Sequence, residues 1–236
     1  MPTNTYFYST TIGNLTEGNM LPSTILQLFQ RAAGEHATTL GCGRRALEEK
    51  GLLWVVLQTR HEICKMPKEG QQVRVYTWPL PATRLGYERN YLISDMENQV
   101  LIKGSSLWGI IDAKERKLAQ VGEVYPEMDF FLEKTFPDRA RRLKDFETEA
   151  PLSTIEPNIL DIDENDHVNN TVYPSYPLVA TNGFEGQLQS LQIDYFHEVL
   201  YGEPLDIYRC REGNTSYFKG ENKEGQRMFA CAFTYR

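Results

Sequence analysis

Apolar residues fall at helical spacing early in the chain. Leu21, Ile25, Leu28, Phe29 and Ala32 lie three and four apart, and Pro22 suits a first helical turn. Gly41-Cys42-Gly43 closes that run. Stretches rich in Val, Ile, Tyr and Trp then predict strands over residues 52–59, 73–78, 86–94 and 100–111, with turn-forming residues between them. The same order then returns. Residues 170–180 predict a second helix, and 188–197, 204–211, 215–219 and 226–235 predict four more strands. Residues 211–214 and 222–225 read as hairpin turns. A helix followed by antiparallel strands, twice over, predicts an α+β protein in which each helix buries its apolar face on a sheet. The expected division is 1–124, a linker over 125–150, and 151–236. The linker carries Pro126, Pro137 and a charged run, and a short basic helix is expected in it.

Composition narrows the class. The chain has 236 residues, 41% of them hydrophobic and 24% charged, as in an ordinary globular protein. A formal net charge of −7 argues against a general nucleic-acid binder. Cys42, Cys64, Cys210 and Cys231 are widely spaced, with no C-x-x-C pair, which suits reduced thiols better than zinc or a disulfide scaffold. No basic leader opens the chain and no run reaches transmembrane length. A cytoplasmic protein without membrane insertion is expected.

Candidate chemistry concentrates in Asp161-Ile-Asp163-Glu-Asn165-Asp-His167-Val-Asn169-Asn170. Asp163, Asn165 and His167 are two apart, so in an extended loop their side chains share one face. Asn169 and Asn170 suit a helix N-terminus, whose free N–H groups, with that of Val168, can hold a carbonyl oxygen gaining negative charge. Base, orienter and oxyanion donors are what acyl transfer to water requires. Asp- and Asn-rich loops also serve simply to turn a chain. A calcium loop is disfavoured, since the glycine and final glutamate of an EF-hand are missing at the required spacing.

With Asp194-Tyr195-Phe-His-Glu198 downstream, and Leu53-Trp54-Val55-Val56 and Val73-Arg-Val75-Tyr-Thr77-Trp78 in the first half, the pattern D-x-N-x-H-V-N-N-x-x-Y (Asp163 to Tyr173) resembles the acyl-acyl-carrier-protein thioesterases. The resemblance spans nearly the whole chain. It implies a tandem (double) hotdog, each half a central helix wrapped by a curved antiparallel sheet. It also implies hydrolysis of fatty acyl-acyl-carrier protein to free fatty acid, with no cofactor and no metal. The family's catalytic Asp, Asn, His and Glu fall on Asp163, Asn165, His167 and Glu198, with Glu198 on the following strand. Glu198 follows an apolar-rich stretch, and burial there would make it a better base. Many plant members carry a cysteine directly after this glutamate. Val199 stands there instead, so a covalent mechanism at that position is excluded and direct attack by water is left.

Pro174 and Pro177 come early for a hotdog helix, and Pro177 predicts a kink or a delayed start. The first copy's lead-in, Glu17-Gly-Asn19-Met20, has no D-x-N-x-H. The first half is therefore expected to be non-catalytic and to house the acyl chain among Trp54, Val56, Trp78 and Trp108. Arg139, Arg141, Arg142 and Lys144 are candidates for meeting an acidic carrier protein, with Arg44-Arg45 as the next patch. An acyl-coenzyme A hydrolase, a non-catalytic acyl-binding protein and a hotdog dehydratase are the competing functions. Chain-length preference and homodimer formation are left open by the sequence.

Overall fold

The computed structural model describes residues 4–119 and 124–236. The chain forms two compact units, Met1–Asn14 with Gln27–Arg139, and Leu15–Leu26 with Ala140–Arg236. In the first, β1 (Tyr6–Thr11), β2 (Leu52–Ile63), β3 (Gln72–Pro79), β4 (Tyr87–Asp95) and β5 (Val100–Asp112) form an antiparallel sheet in the order β1-β3-β4-β5-β2. The four expected strands are present, three of them longer and β4 shifted by one residue. β1 was not anticipated, although Tyr-Phe-Tyr-Ser-Thr-Thr has the aromatic and hydroxyl-bearing composition of a strand.

Helix α1 (Pro22–Thr39) buries Ile25, Phe29 and Ala32, as its spacing requires. It stops at Gly41, whose φ of 71° is a left-handed value that glycine adopts without a Cβ penalty, and Cys42 N–H closes back on Ala37 O at 3.0 Å. Phe29 lies flat on the strand: its ring stacks on Tyr91 at 4.4 Å between centroids, and a Cβ at Gly104 would sit 2.3 Å from it. Only glycine leaves room for that contact. A second short helix, α2 (Arg44–Glu48), follows directly, and its Arg44 pairs with Glu48.

In the second unit β6 (Ser153–Ile155), β7 (Leu188–Tyr195), β8 (Leu205–Glu212), β9 (Thr215–Glu221) and β10 (Arg227–Tyr235) are antiparallel in the order β7-β10-β9-β8-β6. Phe229, Cys231 and Phe233 of β10 lie opposite Tyr195, Ile193 and Leu191 of β7, an apolar face met by Tyr173 and Tyr176. The second helix is much shorter than expected. α3 spans Ser175–Ala180 and residues 170–174 are turn. Pro177 has no N–H to donate and restricts the residue before it, so the chain becomes helical only where Pro174 and Pro177 fit a first turn.

The linker holds no helix in residues 124–150, contrary to expectation. Its prolines and alternating charges favour an extended strap. Within the first unit the strap starts on the face α1 covers, where Tyr125 meets Tyr87 edge-on at 5.6 Å, and continues over the other face: Trp78 Nε1 donates to Glu133 O at 2.8 Å, and Thr135 N–H donates to Asn90 Oδ1 at 3.0 Å. Within the second unit Leu143 N–H donates to Asp194 Oδ2 at 2.6 Å, and Gln192 Nε2 to Arg141 O at 2.7 Å. The backbone groups of an unpaired strap are satisfied this way by polar side chains on the sheet.

Candidate active site

The acidic loop is turned, not extended. Ile162 bridges to Val168 and His167 to Leu200 in antiparallel fashion, while Asp163 N–H donates to His167 O at 2.9 Å. Asp166 takes a φ of 63° at the tip, a conformation aspartate tolerates. Asp163 Oδ1 accepts from Asn165 N–H at 2.8 Å, an Asx turn that folds the carboxylate onto its own loop. Asp163, Asn165 and His167 therefore do not share one face. Asn165 is exposed near the tip, and no hydrogen bond joins its side chain to His167 or Glu198 among the described residues.

What the fold does bring together is His167 and Glu198. The pairing of residues 167–168 with 199–200 sets them diagonally, with Nε2 3.1 Å from the carboxylate. Their side chains keep 23% and 45% of their surface, so the pair can be reached by water. Glu198 is three residues beyond the end of β7, not on the strand, and its expected burial is not found.

The expected oxyanion donors also need correction. Val168 N–H is already bonded to Val199 O and Asn169 N–H to Asp161 O, each at 2.8 Å. Asn169 Oδ1 accepts from Thr171 N–H and Oγ1 at 2.9 and 2.8 Å, ordering the turn before α3 and not a helix start. Of the three N–H groups, only that of Asn170 has no such partner among the described residues.

One participant was overlooked. Tyr173 is buried beneath the pair, and burial raises its hydroxyl pKa, as do the charges of Glu198, Glu203 and Asp163, against a backbone hydrogen bond at Val199. Its ring meets Tyr195 edge-on at 5.6 Å, and Tyr195 donates to Asn170 O at 2.9 Å. The signal was the final Tyr of the loop pattern. Val199 is fully buried, and the Cys231 thiol is also buried, its pKa pushed up by desolvation. No group of three or more potential metal ligands occurs among the described residues, and no helix there is long and apolar enough to cross a membrane.

The basic run divides between the two units. Arg139, in the first unit, contacts Glu88 at 4.0 Å and Thr83 at 3.3 Å. Arg141, Arg142 and Lys144 are exposed in the second unit, where the Arg142 guanidinium lies 5.2 Å from the centre of the Phe196 ring. Trp78 must be separated from Trp54 and Trp108: it is in register with Asn90 on the face away from α1, whereas those two meet edge-on at 6.4 Å on the face α1 covers.

Two helix-and-sheet units, the second with an accessible imidazole–carboxylate pair, define a double hotdog protein. The Acyl-ACP thioesterase N-terminal domain matches residues 8–128 and the Acyl-ACP thioesterase C-terminal domain residues 145–235, and the chain belongs to the acyl-ACP thioesterase family. It is 30% identical over 216 residues to a chloroplastic acyl-[acyl-carrier-protein] hydrolase of Cuphea viscosissima, covering 83% of this chain and 52% of that one. It is 26% identical over 204 residues to a chloroplastic oleoyl-acyl carrier protein thioesterase of Coriandrum sativum, covering 78% and 55%. The chain thus spans about half the length of the curated relatives it matches. In fold it is similar to an acyl-ACP thioesterase from Bacteroides thetaiotaomicron, with a TM-score of 0.88, 20% identity and 98% of each chain covered. A 12:0-ACP thioesterase from Umbellularia californica is similar at a TM-score of 0.84 and 18% identity, covering 98% of this chain and 97% of that one.

Proposed function

We propose that the protein hydrolyses the thioester between a fatty acyl group and the phosphopantetheine arm of acyl carrier protein. The observation that carries the reading is the 3.1 Å contact between His167 Nε2 and the Glu198 carboxylate on a rim open to solvent. Family membership supports the substrate class.

In this mechanism His167 holds the Glu198 carboxylate in place, and Glu198 takes a proton from a water molecule. The water oxygen bonds to the thioester carbon, and the carbonyl oxygen gathers negative charge near Asn170 N–H. Collapse breaks the carbon–sulfur bond, and the proton held by the pair passes to the departing sulfur. The products are a carboxylic acid and a free thiol. General-base assistance of this kind contributes about a hundredfold or more. Asp163 keeps the loop turned so that His167 faces Glu198, and Tyr173 supports Val199 from below. The acyl chain is assigned to the first unit, on the face bearing Trp54 and Trp108.

Purified protein should release free thiol from acyl-carrier substrates of graded chain length. It should turn over the same acyl group on coenzyme A more slowly. Equal or better rates on coenzyme A would replace the carrier protein as substrate. Binding of acyl groups without thiol release would make this an acyl-binding protein.

A further inference from the structure

A sheet face covered by a helix is ordinarily apolar, yet a polar band crosses the one under α1. Register puts His61, Gly104, Tyr91 and Thr77 in one row across four strands, and Thr59, Ser106 and Arg89 in the next. Phe29 and His36 of α1 meet Tyr91 and Arg89, so this is the face α1 covers. Arg89 is only 4% exposed. Its Nη1 lies 3.0 Å from His36 Nδ1 and 3.3 Å from Thr77 Oγ1, and the Tyr125 hydroxyl is another neutral partner. No carboxylate of the described residues pairs with it. A buried guanidinium without a counter-charge is costly, by several kcal/mol on the usual scale for an uncompensated buried ion.

The histidines add to the imbalance. A guanidinium can only donate, so Arg89 fixes the neutral His36 tautomer with its proton on Nε2. Burial, with the Arg89 charge, lowers the His36 pKa to about 4 and keeps the ring neutral. That Nε2 has no hydrogen-bond partner, and neither ring nitrogen of buried His61 has one. Polar groups this well buried nearly always have partners in folded proteins. Beyond the band the character changes: Tyr87 and Trp108 form the next register pair, and Trp54 meets both edge-on. A cationic, donor-rich band beside an aromatic surface matches an amphiphile with an anionic end.

We propose that the interior of the first unit binds a carboxylate-ended aliphatic ligand, with Arg89 taking the carboxylate, His36 Nε2–H adding a donor, and the hydrocarbon lying against Trp54 and Trp108. This rests on the reading of the first unit as the acyl-chain compartment. Two sources share the chemistry: a free fatty acid, such as the hydrolysis product, or an acyl group bearing a second carboxylate at its far end.

Tryptophan fluorescence and calorimetry on the full chain test the idea, because all three tryptophans lie in this unit. Dodecanoate should bind at least tenfold more tightly than methyl dodecanoate. Arg89→Met should erase that preference, Arg89→Lys should keep part of it, and His36→Phe should weaken dodecanoate binding by a smaller factor. An equal affinity for acid and ester in the wild type overturns the proposal even if the Arg89 variants fail to fold. So does a preference that survives Arg89→Met. Non-hydrolysable amide analogues of acyl-pantetheine, ended by a methyl or a carboxylate, separate the sources. Tighter binding of the carboxylate-ended analogue assigns the site to the acyl group, and a preference confined to dodecanoate assigns it to the free acid. Thiol release by the same preparations keeps the two readings apart. Carboxylate preference without hydrolysis sinks the hydrolase reading alone, and hydrolysis without the preference sinks this one alone.

Discussion

His36 and His61 of the first unit are buried in its interior, whereas His167 and His197 of the second are at its surface. The two units share one plan but place their polar groups differently. The first has a long helix that brings His36 onto a sheet face carrying Arg89 and His61. The second has a six-residue helix over an apolar face, and its His167 and Glu198 lie outside the strands, on loops. A long helix excludes water and makes neutral imidazoles. A short one, preceded by a rigid turn, leaves room for a loop whose acid and imidazole remain wet. On the proposed function, the buried first unit holds the ligand and the exposed pair of the second activates water.

The comparison breaks most readily at Glu198. Glu198→Gln keeps the size and loses the base, and turnover should fall about a hundredfold or more with little change in substrate binding. Near-normal release of thiol by this variant would move the base to Asp163 and dissolve the contrast between the units. His167→Gln should cost less, because its imidazole acts through the carboxylate. The pH dependence of that variant should differ from wild type, which mere misfolding of the loop would not produce.

The buried histidines provide the second test. Burial lowers His61 to about 3 and His36 to about 4, both below the ordinary value of 6.5. As pH falls below 6.5 the unfolded chain takes up protons that the folded chain refuses. The stability these groups contribute is full above 6.5 and is lost as pH falls toward 4 and then 3. Each histidine should add a slope of about 1.4 kcal/mol per pH unit across that window. Denaturant melts of wild type and His61→Leu at pH 7 and pH 4.5 measure this. The variant should be as stable as wild type at pH 7 and should lose less at pH 4.5. An unchanged pH slope would mean that His61 is protonated, and so hydrated, in the folded protein.

Legibility in the sequence followed how local each determinant is. Eight strands and α1 could be read because alternation and three-four spacing record which side chains face a core. The delayed start of α3 was readable from Pro177 by local sterics alone. The linker helix was misread because a charge run is compatible with a strap. What held the strap was Asn90, Gln192 and Asp194 on distant strands, which no window of sequence shows. At the site, His167 and Glu198 were found through the family pattern, but their contact depends on the pairing of 167–168 with 199–200. The same pairing spends Val168 N–H, which is why it cannot serve as an oxyanion donor. The polar band of the first unit was invisible for a related reason. Arg89, Ser106 and Thr59 become neighbours only through strand register.

The smallest expected effect concerns the route by which a partner reaches the second unit. The chain is net acidic, so an acidic carrier protein is repelled unless exposed cations steer it in. Arg141, Arg142 and Lys144 are exposed in the second unit and form the cluster to test. Arg141→Glu with Arg142→Glu should raise KM for the carrier-bound acyl group several-fold. Turnover of a small acyl thioester without the protein should hardly change. Attraction between exposed charges is screened over about 8 Å at physiological ionic strength. Added salt should therefore weaken the wild-type preference for the carrier, and the variant should be less sensitive. The Arg142 guanidinium lies near the Phe196 ring, two residues before Glu198, so one confounding effect must be separated. Arg142→Met removes the charge and keeps an aliphatic side chain beside Phe196. If Arg142→Met and the double reversal raise KM equally on both substrates, these arginines support the loop near Glu198, and carrier recognition lies elsewhere. If only the carrier-bound substrate is affected, and more by reversal than by neutralisation, the second unit has both the water-activating pair and the surface that receives the partner.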